Sequence, residues 1–187
     1  MSTPPREVFA DFTRQTIEAH DEWDSPHCFI TLHWDGEQVS VGTYASIMLD
    51  INPADYPAYM ISLAREEHEK NPDDPAYAYL LQAEFFGATE PGPDASEAER
   101  AQFQRDRLGR TFHQRDDAEE IATAWCADVH GRLWAATKRR SQPGVVHETF
   151  YAPGKAPGGQ MIRGLLAVAY STGMMAYGLP GPSWVAN

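Results

Sequence analysis

Apolar positions recur at helical spacing from the start of the chain. Val8, Phe9, Phe12, Ala19 and Trp23, with Thr16 among them, fall on one stripe, and Ser2, Thr3 and Pro4 supply a helix start. The pattern predicts a first helix from about Pro4 to about Glu22, because Pro26 disfavours helical geometry at Ser25. The period then changes to two. "HCFITLHWDGEQVSVGTY" holds two alternating segments around Asp35-Gly36, a pair suited to a two-residue hairpin turn. Setting Trp34 opposite Glu37 places Leu32 opposite Val39, Ile30 opposite Val41 and Cys28 opposite Thr43. The apolar residues then share one face, and His27, Phe29, Thr31 and His33 share the other with Gln38 and Ser40.

Farther along, Asn52-Pro53-Ala54-Asp55 caps a second helix, expected from Asp55 to near Lys70 and carrying Tyr56, Tyr59, Met60, Leu63 and Ala64 at helical spacing. Residues 76–87, "AYAYLLQAEFFG", follow neither period, and aromatic content with a length near ten favours a strand over a helix. An acidic loop near 88–96 precedes Ser96-Glu97-Ala98-Glu99, a capping box that opens a third helix from about Glu97 to about Leu108. A three-stranded meander follows, turning at Asp128-Val129-His130-Gly131 and at Gln142-Pro143-Gly144, with Ile121, Thr123, Trp125 and Ala127 facing the same way as Leu133, Ala135 and Thr137. "QMIRGLLAVAYSTGMMAY" has Arg163 as its only charge and is expected to be a helix buried at the centre. An extended tail runs from about 178, with Trp184 as its anchor.

The order helix, hairpin, helix, strand, helix, meander, helix predicts a single α+β domain over 1–187. Its antiparallel sheet has five or six strands, with helices packed mainly on one face. That order resembles the profilin-like and PAS-like scaffolds, in which partners or small molecules bind. The likeness is one of element order and transfers no residue.

Charge changes the picture of partners. The net charge of -12 is divided unevenly: residues 1–99 hold 20 acids and 4 bases, whereas residues 100–187 hold 7 acids and 11 bases. So acidic a chain is a poor general nucleic-acid binder, since such binding neutralises phosphates. No secretion signal or membrane span is apparent, and Cys28 and Cys126 read as buried thiols of a cytoplasmic protein, with a single disulfide as the alternative. Arginine outnumbers lysine twelve to three and alanine and proline are frequent, a usage that suggests a GC-rich bacterial genome.

The densest chemistry is "HDEWDSPH", residues 20–27. No cofactor is predicted, but His20 and Asp24 at i and i+4, joined by His27 across the turn, would give three ligands for a divalent metal. The competing reading is a helix end with a turn behind it. His33 and His147, with His27 and Glu148, could line an open sheet face as acid/base groups, and Glu84 sits among apolar neighbours. No nucleophile elbow or phosphate loop is present. Arg100, Arg105, Arg107, Arg110 and Arg115, with Lys138, Arg139 and Arg140, form two basic groups that could converge on an acidic partner or a phosphate. Conversely, Glu66, Glu67, Glu69, Asp73 and Asp74, with the carboxylates of residues 18–24, could imitate a nucleic-acid backbone or meet a basic protein. The expected function is a non-catalytic protein-interaction or regulatory module, with homo-oligomers admitted. A metal-assisted hydrolase or acid/base enzyme centred on His20, Asp24 and His27 is the alternative.

Overall fold

The computed structural model describes residues 3–47, 55–109 and 111–181. The expected cap at Asn52 to Ala54, Arg110 of the basic group, Ser2 and the tail anchor Trp184 lie outside them. The elements run α1 (Arg6–Glu18), β1 (His27–Trp34), β2 (Val39–Ile47), α2 (Tyr56–Lys70), β3 (Ala78–Gly87), α3 (Glu97–Gly109), a short 3-10 turn (Phe112–Gln114), β4 (Glu119–Asp128), β5 (Leu133–Arg139), β6 (Gln142–Tyr151) and α4 (Gln160–Tyr177). All six strands join one antiparallel sheet in the order β2-β1-β3-β4-β5-β6. The α+β class is therefore as expected, and residues 76–87 hold a strand, β3, placed centrally between β1 and β4.

Helices cover the sheet from both sides. On one face α1 lies across β3, β4, β5 and β6, its Phe9 and Ile17 meeting Ile30, Leu32, Leu80, Cys126 and Trp134. Ala122, Ala124 and Ala136 lie in the same cluster, and small side chains there let the helix sit close. On the opposite face α4 lies along β3 and β4 with α2 beside it, and Phe29, Tyr56, Met60, Tyr79, Leu81, Leu133, Leu165 and Val168 form a second core. Tyr79 ties this layer together: its hydroxyl meets Thr172 Oγ1 of α4 at 2.6 Å, and burial pushes the phenol up to about 12. No helix among the described residues is long and apolar enough to cross a membrane.

This double covering corrects the expected hairpin faces. Phe29, Thr31 and His33, assigned to a solvated face, are buried on the α2/α4 side of β1. The register differs too. Trp34 pairs with Val39 and Leu32 with Val41, so the loop has four residues, Asp35 to Gln38. Asp35 is the reason: its Oδ1 accepts from the backbone N–H of Glu37 and of Gln38, both at 2.8 Å, a side-chain turn that outcompetes the two-residue Asp-Gly turn. A displacement of two keeps Val39 and Val41 on the face of Leu32. Beyond them, Gly42 and Thr43 bulge opposite Thr31, so that Tyr44 rather than Thr43 pairs with Ile30.

The remaining expectations divide similarly. The capping box forms, with Ser96 Oγ donating to Glu99 Oε2 at 2.7 Å and accepting from the Glu99 N–H at 3.2 Å. The first meander turn closes on Gly131, whose φ of +77° suits glycine. The second turn is Arg140-Ser141, and Gln142, Pro143 and Gly144 open β6 instead. Pro143 is tolerated there because β6 is an edge strand. Thr123 pairs with Thr137, Trp125 with Ala135 and Ala127 with Leu133, as expected. α4 spans the anticipated residues but is not buried all round: Ile162, Leu165, Val168 and Ala169 face the sheet side, while Met174 and Met175 are exposed. Cys28 and Cys126 are both buried and free.

Candidate functional site: a groove between two helices

Helix α2 begins with Pro57 in its first turn, where a missing N–H costs nothing, and runs to Lys70. Its inner stripe of Tyr56, Met60, Ala64 and Glu67 is buried. It lies closely against α4 because Gly164 has no side chain: a Cβ there would stand 2.8 Å from Pro57 Cα and 2.8 Å from Met60 Cε. Toward the far ends of the two helices the close approach gives way to a groove of about 360 Å³. Ile61, Ala64, Arg65, His68 and Glu69 line it from α2, and Val168, Thr172, Met175 and Ala176 from α4. Its apolar lip is exposed: Ile61 is 40% accessible and Met175 75%. Of the charged side chains around it, Arg65 and Glu69 line the groove itself, and Glu66, Lys70, Asp73 and Asp74 are exposed on the end of α2 and just beyond it. Lys70 itself stands 3.9 Å from Glu66.

The groove was not legible as a site in the sequence. Its signal was there in part: a helix apolar nearly all round must be either enclosed or exposed on one side, and α4 is the second case.

The residues expected to bind metal occupy other places. α1 ends at Glu18, four residues early, so Asp24 is not one helical turn from His20. His20 is drawn down to β3 instead, where Nδ1 meets Gln82 Nε2 at 2.7 Å and Nε2 lies 3.0 Å from Glu84 Oε1. Asp24 reverses the chain at φ +67° and gives its backbone N–H to Glu84 Oε2 at 2.7 Å. Ser25 Oγ donates to the other oxygen at 3.0 Å. His27 lies on the opposite face of the sheet, with Nδ1 at 2.8 Å from the Tyr56 hydroxyl and Nε2 at 3.2 Å from the Glu84 carbonyl. The octapeptide is thus a helix end and turn knotted onto Glu84, and its two histidines do not converge. Among the described residues no group of three His, Cys, Asp or Glu side chains is placed to hold a metal ion.

Burial holds His27 below the ordinary histidine value, with the Glu84 carbonyl acting weakly in the other direction. The neutral ring is therefore favoured in the fold, while the unfolded chain takes up a proton near pH 6.5. Stability should fall as pH drops below that value. A smaller loss of melting temperature between about pH 7.5 and about pH 5.5 is expected for His27→Gln than for the parent, and equal losses would contradict this.

The other candidates are also dispersed. His33 is buried, 3.4 Å from Glu67 Oε1 and 3.2 Å from Asp74 Oδ2, and Glu67 further accepts from the Thr43 hydroxyl and from Asn71 Nδ2. This network pins the end of α2 to β1 and β2. His147 is exposed on β6, and Glu148 points to the α1 face, 3.7 Å from Arg14. Histidines 27, 33 and 147 therefore share no open surface.

The basic patch does not assemble either. Lys138 is buried at the end of α1, where its ammonium donates to the His20 carbonyl and neutralises the negative end of the helix. Arg139 pairs with Glu119 at 2.7 Å, Arg140 pairs with Glu120, and Arg105 bonds Gln102 within α3. Burial pushes the Cys126 thiol well above the usual thiol range, which suits a packing residue.

Compared with known proteins, the chain matches no family model, no curated protein and no solved structure. The class that the fold defines is an α+β protein with a helix-covered antiparallel sheet.

Proposed function

We propose that this protein is a cytoplasmic protein-interaction module that carries out no chemistry of its own, and that the α2–α4 groove receives an amphipathic helix of a basic partner. The observation that carries this reading is the exposed lip of Ile61 and Met175 over an open apolar groove. Methionine is unbranched and adaptable, which suits a surface that must fit another helix. Glu69 lines the groove and Glu66, Asp73 and Asp74 are exposed on the end of α2 and just beyond it, so the surroundings favour a partner with lysine or arginine beside its apolar face and oppose one with glutamate there. The same acidic helix end works against a second copy of this chain in the groove, since pairing there would bring two such ends together.

A fluorescein-labelled amphipathic helix of leucine and lysine tests the reading by anisotropy, beside an otherwise identical leucine and glutamate peptide. The lysine peptide should bind at least about tenfold more tightly. Met175→Glu and Ile61→Glu should each weaken it by about tenfold while leaving the melting temperature unchanged, because both side chains are exposed. Both variants make the protein more acidic, so unspecific attraction of a cationic peptide would strengthen instead. Equal affinity for the two peptides, or variants that bind like the parent, would overturn the proposal.

A further inference from the structure

Six-stranded open sheets have two edges, and this sheet treats them differently. β6 carries Pro143, His147 and Glu148, features that discourage another strand from pairing. β2 reads "VSVGTYASI" and holds no charge and no proline over nine residues, yet among the described residues it is the other edge. Val41 and Tyr44 on it are 52% and 60% exposed. Both point to the α1 side of the sheet, as their partners Leu32 and Ile30 do, although three positions separate them. The bulge at Gly42 and Thr43 brings them onto one face. α1 packs across β3 to β6, so this apolar pair stands beside the helix layer.

We infer that β2 is the joint of a homodimer, formed when two copies pair antiparallel along this edge about a two-fold axis through the bulge. Setting Gly42 of one copy against Thr43 of the other places Val41 opposite Tyr44 twice. Aromatic against β-branched is a favourable cross-strand pair, and one strand supplies both halves. The two bulges meet at the axis, and ladder bonds come from residues 39–41 and 44–46 on either side. Charge permits the same arrangement. Asp35 and Glu37 lie just before β2, and antiparallel pairing carries the two acidic loops to opposite ends of the joint, about 30 Å apart. That is several times the screening length of about 8 Å at physiological salt. The carboxylates of the hairpin loops are thus kept apart, and Glu67, bonded to Thr43 beside the axis, is buried in its network with His33 and Asn71. This inference is independent of the groove.

Sedimentation velocity of the full chain at micromolar concentration should give twice the 20.9 kDa chain mass. The double variant Val41→Lys/Tyr44→Lys should sediment at the single-chain mass while still unfolding cooperatively, since both side chains are exposed, and its melting temperature should no longer rise with protein concentration. Amide exchange gives a second readout: protection of residues 39–46 should rise with protein concentration while that of β6 stays constant. A parent that remains monomeric at high concentration would overturn the inference. So would a dimer that survives the double variant, or one lost in Ile61→Glu, which would assign self-association to the groove.

Discussion

Replacing Asp128 by alanine is expected to lower stability by about 3–5 kcal/mol, measured as a shift in the urea midpoint. The carboxylate is fully buried at the end of β4 and closes the turn into β5. Oδ1 accepts from the backbone N–H of His130 at 3.1 Å and of Arg132 at 2.9 Å, and Oδ2 takes Arg132 Nε at 2.7 Å. The guanidinium of Arg132 also reaches the Pro4 carbonyl at 3.2 Å and lies over Trp134. Alanine would leave a largely covered cation without its counter-charge and two backbone donors without acceptors. The double change Asp128→Ala/Arg132→Met should cost less than Asp128→Ala alone, because it removes the stranded charge. If the double variant were the less stable, the pair would not be the reason for the loss.

The second large effect is expected at Gly164. Leucine there would drive carbon atoms into the backbone of Pro57 and against Met60, and neither a backbone atom nor a fully buried side chain can give way cheaply. Overpacking of this kind costs about 3 kcal/mol. The strain would also part α2 from α4 along the line that opens into the groove. Gly164→Leu should therefore lose both melting temperature and affinity for the lysine peptide, whereas Met175→Glu should lose affinity alone. Retention of both by Gly164→Leu would show that the helices do not meet as described.

Much of the fold was legible because local chemistry decided it. Ser96 and Glu99 announce α3, Gly131 announces the first meander turn, and the composition of residues 160–177 marks α4 to the residue. What escaped the sequence depended on tertiary contacts. β3 shows no alternation because it is central and covered on both faces, so Tyr79 and Leu81 need the α4 side as much as Ala78 and Leu80 need α1. The same covering hid Phe29 and Thr31 behind a seemingly polar face of β1. α1 stops early because β3 and Lys138 claim both the ring and the carbonyl of His20, partners far away in the chain. The arginines at 139 and 140 read as a free basic group only until Glu119 and Glu120, from the adjacent strand, are set beside them. Met175 lies on α4, a helix apolar nearly all round, so pattern alone could not say which of its stripes faces water, and Ile61 stands on α2 among charged neighbours that mask it.

The placement of α1 also bears on how the chain is made. This helix comes from residues 6–18, but the surface it settles on is built mainly from β4, β5 and β6, which end at Tyr151. A ribosome therefore delivers the helix more than a hundred residues before its docking site exists. Meanwhile Phe9 and Ile17 have no permanent shelter, and the nascent chain must be guarded through that interval, by chaperones or by fleeting contacts with the early hairpin.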